Sequence, residues 1–387
     1  MHIHDDACAC GPSRRRLLGA GAILTAGLAA GSASAKTQTQ ANPQAAAQAI
    51  GGVQKRGPWI DAHVHLQALD WFRGNVFERR MRTRRNRSTP RPQAAGLGAR
   101  SIDEAAASGP RRAYGPDLEG QTQRLLDQMN EAGIATSVLF AMDYDYTGEK
   151  LRVPHYEQLI ALAGVRDRHP GRFVLFAAID PRRGPAGLDL LRRAHNELGI
   201  VGMGEFAPHF FGFAPNDRER CYPIYELCSE LDLPIAPNCS IVASHVSRWC
   251  DPIYFEDVAY DFPNLNICLT SSGIPLWSES ALALAQSKQN VWIDVADWQA
   301  PVTSDPVGNV LQFVRRALDT EARHKILFGS DYPVFARAVS EKSWVEVFTV
   351  QARQRGILFS DEDLHLLFSD NVQEFLDRDL PMPPGFG

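Results

Sequence analysis

Cysteine is scarce in this chain. There are seven in 387 residues, and no two stand in a Cys-x-x-Cys spacing. That excludes a cysteine zinc knuckle, and the odd, irregular set Cys221, Cys228, Cys239, Cys250 and Cys268 argues against a disulfide framework. One incidental disulfide in an oxidising compartment stays open. Basic excess is missing too. The net charge is −5, so there is no global bias toward nucleic acid. Beyond the first 35 residues no apolar stretch is long enough to span a bilayer, which predicts no stable membrane insertion once a leader is removed. No Gly-x-Gly-x-x-Gly follows the first apolar run, which weakens a dinucleotide-binding reading.

What is present starts with a targeting segment. Ser13-Arg14-Arg15-Arg16-Leu17-Leu18 leads into a Gly/Ala/Leu-rich run and then Ala33-Ser34-Ala35. A basic region, a mildly apolar region and a small-residue cleavage site predict a signal peptide over 1–35, of twin-arginine type from its paired arginines. A general secretory signal is the alternative. The expectation is a periplasmic or secreted protein. Residues 36–57, rich in Ala and Gln, read as a flexible linker.

From Trp59 a regular alternation begins. Strand-like runs at Trp59–Ala62, Thr136–Ala141, Phe173–Ile179, Val201–Phe206, Pro234–Asn238, Leu265–Thr270, Val291–Val295 and Ile326–Gly329 are separated by amphipathic stretches. One such stretch, starting at Gln121, puts Leu125, Leu126 and Met129 on one face. Eight strand–helix repeats in roughly 300 residues predict an α/β fold, a (β/α)₈ TIM barrel over 58–380, with a doubly wound open sheet as the alternative. Residues 73–116 interrupt the pattern with Arg73, Arg79, Arg80, Arg82, Arg84, Arg85, Arg87 and Arg91. This insertion after the first strand reads either as a collar for an anionic substrate or as a solvated segment. Aromatic interleaving is too sparse for a nucleic-acid role.

In a barrel, residues at the C-terminal ends of the strands converge. That rule selects His63 and His65 after the first run, Glu205 after the fourth, Asn238 after the fifth, Ser271 after the sixth, Asp297 after the seventh and Asp331 after the eighth. Residues two apart on a strand share a face, so Asp61, His63 and His65 are expected on one side. Two imidazoles and two carboxylates on one rim predict a metal site with hard-to-borderline donors. For Glu205 the alternative is a buried ion-paired carboxylate. His209 and His245 fall in the fourth and fifth loops, in reach of the pocket but expected to face solvent.

These residues carry a resemblance. Ile60-Asp61-Ala62-His63-Val64-His65, Leu126-Asp127-Gln128-Met129-Asn130-Glu131-Ala132-Gly133-Ile134, Phe328-Gly329-Ser330-Asp331-Tyr332-Pro333 and Asp370-Asn371-Val372-Gln373-Glu374-Phe375-Leu376 together resemble the amidohydrolase superfamily. The narrower likeness is to the amidohydrolase-related branch of aminocarboxymuconate-semialdehyde and resorcylate decarboxylases. The resemblance implies that the first-strand histidines and Asp331 hold a metal and, since some branches use a mid-barrel glutamate, it implies a set of His63, His65, Glu205 and Asp331, which favours zinc with manganese or iron also fitting. It also implies histidines where this chain has Asn238 and Ser271. Asparagine is a poor substitute for imidazole on zinc, and serine cannot shuttle a proton near neutral pH unaided. The implied activity is an exported hydrolase of a small amide, ester or lactone, using metal-activated water with Asp331 as base. The alternatives are non-oxidative decarboxylation of a small unsaturated or aromatic acid, and a catalytically degenerate barrel that only binds. The expected partner is a small molecule, with self-association left open.

Overall fold

The alternation of apolar runs and amphipathic stretches becomes strand and helix in turn. The computed structural model describes residues 49–50, 53–54, 57–73, 117–148, 151–242, 245–300, 304–336, 338–384 and 386. The expected targeting segment, most of the linker and all of the 73–116 insertion except Arg73 lie outside them. Inside the expected linker, Ala49–Ile50 pairs antiparallel with Val53–Gln54, so this stretch carries a short local pairing and is not structureless throughout.

Eight strands follow: β1 Ile60–Val64, β2 Thr136–Ala141, β3 Phe173–Ala177, β4 Met203–Phe206, β5 Ile235–Pro237, β6 Ile267–Leu269, β7 Val291–Asp294 and β8 Ile326–Leu327. They pair in parallel as β1-β2-β3 and β4-β5-β6-β7-β8. Two parallel bridges join these arcs, Phe176 with Gly202 and Val64 with Tyr332. The ring closes, giving the (β/α)₈ barrel that the sequence predicts and not an open sheet. The helices between the strands are α1 Leu118–Ala132, α2 His155–Arg168, α3 Pro185–Leu198, α4 Tyr222–Glu230, α5 Tyr254–Asp261, α6 Ser278–Ser287, α7 Pro306–Leu318 and α8 Glu341–Glu346.

Local chemistry sets the helix ends. The Asp117 side chain accepts the Gly120 N–H at 2.7 Å and starts α1, and Gly133 at φ 69° ends it in the left-handed region. Asp305 followed by Pro306 starts α7, and the Ser340 hydroxyl caps α8.

Strand alternation then divides the core. Leu139, Leu175, Met203, Ile235, Ile293 and Ile326 face outward to Leu125, Met129, Leu159, Leu191 and Val310 of the helices. Ile60, Ala62, Val138, Phe140, Phe176, Ala236, Cys268, Trp292 and Leu327 fill the interior. A last helix, α9 Asn371–Leu376, adds Val372, Phe375 and Leu376 to that inner cluster. Each such buried side chain contributes about 1.5–3 kcal/mol. Gly202 is required here: a Cβ would meet the Phe176 ring at 2.2 Å.

The five described cysteines are buried and unpaired, consistent with no disulfide framework. No helix among the described residues is long and apolar enough to cross a membrane.

Candidate metal centre

Strand β1 does not keep strict alternation. Its register against β2 shifts between Asp61 and Val64, the mark of a bulge. Ile60 and Ala62 pack inside the barrel, Val64 and Leu66 pack outside, and His63 and His65 therefore point in. The expectation that Asp61 shares their side is corrected. A bulge inserts one residue and reverses the faces beyond it, so Asp61 lies on the outer side.

The two imidazoles meet. His63 Nε2 is 3.2 Å from His65 Nε2. Asp331 Oδ1 lies 3.8 Å from the first and 3.5 Å from the second. Glu205 Oε1 is 3.8 Å from His63 Nε2, and its Oε2 is 3.7 Å from His65 Nε2. Glu205 is thus within reach of both imidazoles but does not join the tighter group. His63, His65 and Asp331 form the group of three donors that meets metal-site spacing among the described residues. Phe140 floors the site, its ring centroid 4.8 Å from that of His63. Gly329 lets the strands approach, because a Cβ there would stand 2.9 Å from His63 Cβ.

Asn238 and Ser271 reach the site differently from the expectation. The Asn238 amide donates to Glu205 Oε1 at 2.7 Å, and the Thr270 hydroxyl donates to the same oxygen at 3.0 Å. Ser271 contributes its backbone: its N–H donates to Asp294 Oδ1 at 2.6 Å. Asp294 is the residue that sequence reasoning missed. Its Oδ2 is 2.9 Å from His63 Nδ1, and it is fully buried. The available signal was an acidic residue inside the otherwise apolar run Val291-Trp292-Ile293-Asp294. Asp297, which was named instead, sits one turn further at φ 64°.

Six described non-glycine residues have positive φ, and four of them are Ser271, Ser272, Asp297 and Asp331. All four lie just beyond the ends of β6, β7 and β8, where such backbone strain marks a functional rim. His209 is buried, contrary to the expected solvent-facing loop. Its Nδ1 lies 3.7 Å from Cys250 Sγ, and its ring packs on Phe210 and His245. His245 is half-buried.

Burial and neighbouring charges shift the titration of these groups in opposite directions. Burial alone would lower the His63 imidazole, yet Asp294, with Glu205 and Asp331 behind it, carries its pKa up to about 10. Burial and the neighbouring His63 charge hold His65 down at about 3. Burial pushes Asp331 and Glu205 upward, and Asp297 up to about 7. Among the described residues no Lys or Arg forms an ion pair with Glu205, Asp294 or Asp331, whose recorded pairings are to histidine. Buried carboxylates facing two imidazoles, with no Lys or Arg paired to them among the described residues, fit a divalent metal with mixed nitrogen and oxygen donors.

The family comparison agrees with this geometry. A family model described as Amidohydrolase matches residues 60–378. A search of functionally curated proteins gave no match. Solved structures share the fold at low identity. An uncharacterised TIM-barrel protein from Bordetella bronchiseptica is 17% identical with a TM-score of 0.56, over 83% of this chain and 98% of that one. An amidohydrolase from Burkholderia multivorans with bound zinc is 16% identical with a TM-score of 0.54, over 84% and 100%. A 5-carboxyvanillate decarboxylase from Novosphingobium aromaticivorans, complexed with manganese and 4-hydroxy-3-methoxy-5-nitrobenzoic acid, is 13% identical with a TM-score of 0.53, over 83% and 96%.

Proposed function

This chain belongs to the amidohydrolase family, and from that premise we propose that it is an exported, metal-dependent hydrolase of a small amide, ester or lactone. The observation that carries the reading is the convergence of His63 Nε2, His65 Nε2 and Asp331 Oδ1 at 3.2–3.8 Å, with the Glu205 carboxylate 3.7–3.8 Å from the two imidazoles. These four residues would hold the ion. Zinc leads, and manganese or iron also suits two nitrogens with two oxygens. A divalent cation bound there supplies Lewis-acid polarisation of a carbonyl and a lowered pKa for water.

The protein's own groups do the rest. Asp294 accepts from His63 Nδ1 and so fixes the tautomer that leaves Nε2 as a donor toward the ion. Asn238 and Thr270 hold Glu205 Oε1, which leaves Oε2 for the site. Asp331 is the base: its carboxylate takes a proton from the attacking water and returns it to the leaving oxygen or nitrogen. Ser271 contributes its backbone N–H, which holds Asp294 Oδ1.

A second reading, decarboxylation of a small unsaturated or aromatic acid, is favoured by one feature. A 5-carboxyvanillate decarboxylase is among the solved structures that share this chain's fold. The test is metal content of purified wild type, followed by turnover of a panel of small esters, lactones, amides and aromatic acids. Stoichiometric metal with turnover of an ester, amide or lactone supports the proposal. Release of CO₂ from an acid moves it to the second reading. Absence of metal after metal-replete expression points to a barrel that only binds. Export rests on the Ser13–Leu18 and Ala33–Ala35 pattern. Replacing Arg14 and Arg15 with Lys should leave precursor in the cytoplasm, and unchanged periplasmic accumulation would remove the twin-arginine assignment.

A further inference from the structure

The chain leaving β8 runs through Gly329 and Ser330 into Asp331, whose φ of 53° lies in the left-handed region. A residue with a Cβ is disfavoured there and stays only where its neighbours fix it. Part of that fixing comes from β1 and from the turn itself. Asp331 N–H donates to His63 O at 3.0 Å, and His65 N–H donates to Tyr332 O at 2.7 Å. Asp61 Oδ1 accepts the Ser330 N–H at 3.0 Å, and the Ser330 hydroxyl accepts the Tyr332 N–H at 3.1 Å. The carbonyls of Gly329 and Ser330 are taken from elsewhere in the barrel, each by one side chain. Trp344 Nε1 of α8 donates to Gly329 O at 2.9 Å, and Gln299 Nε2 donates to Ser330 O at 2.8 Å.

Gln299 stands in the loop after β7, two residues beyond Asp297, and is 1% exposed. Its Oε1 is buried without a partner, so the one polar bond of this side chain is the bond to Ser330. A buried amide with an unsatisfied acceptor is costly, and a methionine of similar volume would pack there without that cost. What offsets it is the held carbonyl. Ser330 O belongs to the planar peptide unit that joins Ser330 to Asp331, so fixing this oxygen fixes the plane from which Asp331 departs. The Asp331 carboxylate, with Oδ1 3.5 Å from His65 Nε2 and 3.8 Å from His63 Nε2, is aimed from that plane. Trp298, the neighbour of Gln299, has no such bond. Its Nε1 has no partner, and its ring packs on Phe313 of α7 with centroids 4.5 Å apart.

We propose that Gln299 is a positioning residue for the candidate metal centre: by holding the Ser330 carbonyl it fixes the peptide plane that aims the Asp331 carboxylate at His63 and His65. The effect on metal rests on the proposed function; the clasp between the β7 loop and the end of β8 does not.

The experiment compares wild type with Gln299→Met, Gln299→Asn and Trp298→Phe in the full chain. Met keeps the volume without a donor, and Asn keeps the amide but falls one methylene short. Trp298→Phe disturbs the same loop without removing a hydrogen bond. Three quantities are read: hydrogen exchange of the segment 328–333 in metal-free protein, affinity for Zn²⁺, and the visible spectrum of the Co²⁺-loaded protein, which follows the ligand set and its geometry. Both Gln299 variants should speed exchange about fivefold, the size of one lost neutral hydrogen bond. They should weaken Zn²⁺ affinity about tenfold, as loss of an outer partner does, and alter the Co²⁺ spectrum. Gln299→Met should unfold in urea near the wild-type midpoint, because it also removes the unpaired Oε1. Trp298→Phe should match wild type in exchange, affinity and spectrum. Exchange at the wild-type rate in Gln299→Met overturns the proposal. So does a wild-type Co²⁺ spectrum in that variant, the same spectral change in Trp298→Phe, or failure of both Gln299 variants to fold. If wild type takes up no metal, the exchange arm still decides the clasp, and it is the proposed function that fails.

Discussion

The two ends of this barrel are made by the same eight strands and have opposite chemistry. At the end where the strands begin, the interior is Ile60, Val138, Phe176, Trp292 and Leu327, sealed by Val372, Phe375 and Leu376 of α9. At the end where they finish, the interior is His63, His65, Glu205, Asp294 and Asp331, all buried. The first end satisfies itself by dispersion and water exclusion. The second gathers charge: its carboxylates and imidazoles pair with one another and with Asn238, Thr270 and Ser271, and would hold the proposed ion. Stability is stored at one end, and the strained rim residues Ser271, Asp297 and Asp331 collect at the other.

The comparison breaks most sharply in a matched pair of variants. Asp331→Asn keeps size and one oxygen and removes the base. It should lower turnover by about 10²–10⁴-fold, the usual range for general-base loss, with an unfolding midpoint close to wild type. Phe375→Ala, at the closed end, should cost about 3–5 kcal/mol in urea unfolding while metal per chain stays at the wild-type value. If Phe375→Ala strips metal as it destabilises, or if Asp331→Asn turns over substrate at the wild-type rate, the two ends do not divide their labour in this way.

The closed end and the barrel itself were legible in the sequence because apolar runs repeat whatever the details of each loop. All eight runs became strands within a few residues, and each intervening amphipathic stretch became a helix. His63, His65 and Asp331 were legible as a possible metal group because strand ends converge in a barrel. What escaped depends on single-residue geometry. Asp61 was assigned the wrong face because a bulge is not written in hydrophobic periodicity. Asp294 was not named because it lies inside the apolar run and only the local backbone decides that its carboxylate meets His63, while Asp297, which was named, lies among the same charges. His209 was expected at the surface because a loop position says nothing of what packs over it.

A smaller effect tests how far the open end depends on its outer partners. Asp294→Asn keeps the shape and can still accept the Ser271 N–H, but it loses the charge that holds His63 Nδ1. Metal affinity should fall about 10–100-fold, as for other carboxylate partners of ligand histidines. Equilibrium dialysis against a buffered metal series measures it. An affinity equal to wild type would mean that His63 is oriented by the packing of Phe140 and Gly329 alone.

The smallest expected effect falls on Asn238, and it bears on how this chain departs from its family. A strand-five histidine would place a nitrogen on the ion. Asn238 instead turns its amide NH₂ to Glu205 Oε1 and its Oδ1 to the Ser240 N–H at 3.1 Å, so neither end of the side chain is free for a cation. Its work is to share, with the Thr270 hydroxyl, the fixing of one glutamate oxygen. In Asn238→Ala one of those two donors remains, and a bound cation would itself steady Glu205. Metal affinity should therefore drop by less than about tenfold, below the roughly 1.5–3 kcal/mol of a fully lost hydrogen bond to a charged group. His63→Ala combined with His65→Ala removes both nitrogens and should abolish binding. Equal metal loss in Asn238→Ala and the double histidine variant would make Asn238 a direct ligand. Glu205 would then be the supporting residue, and the exchange of roles between strands four and five argued here would be reversed.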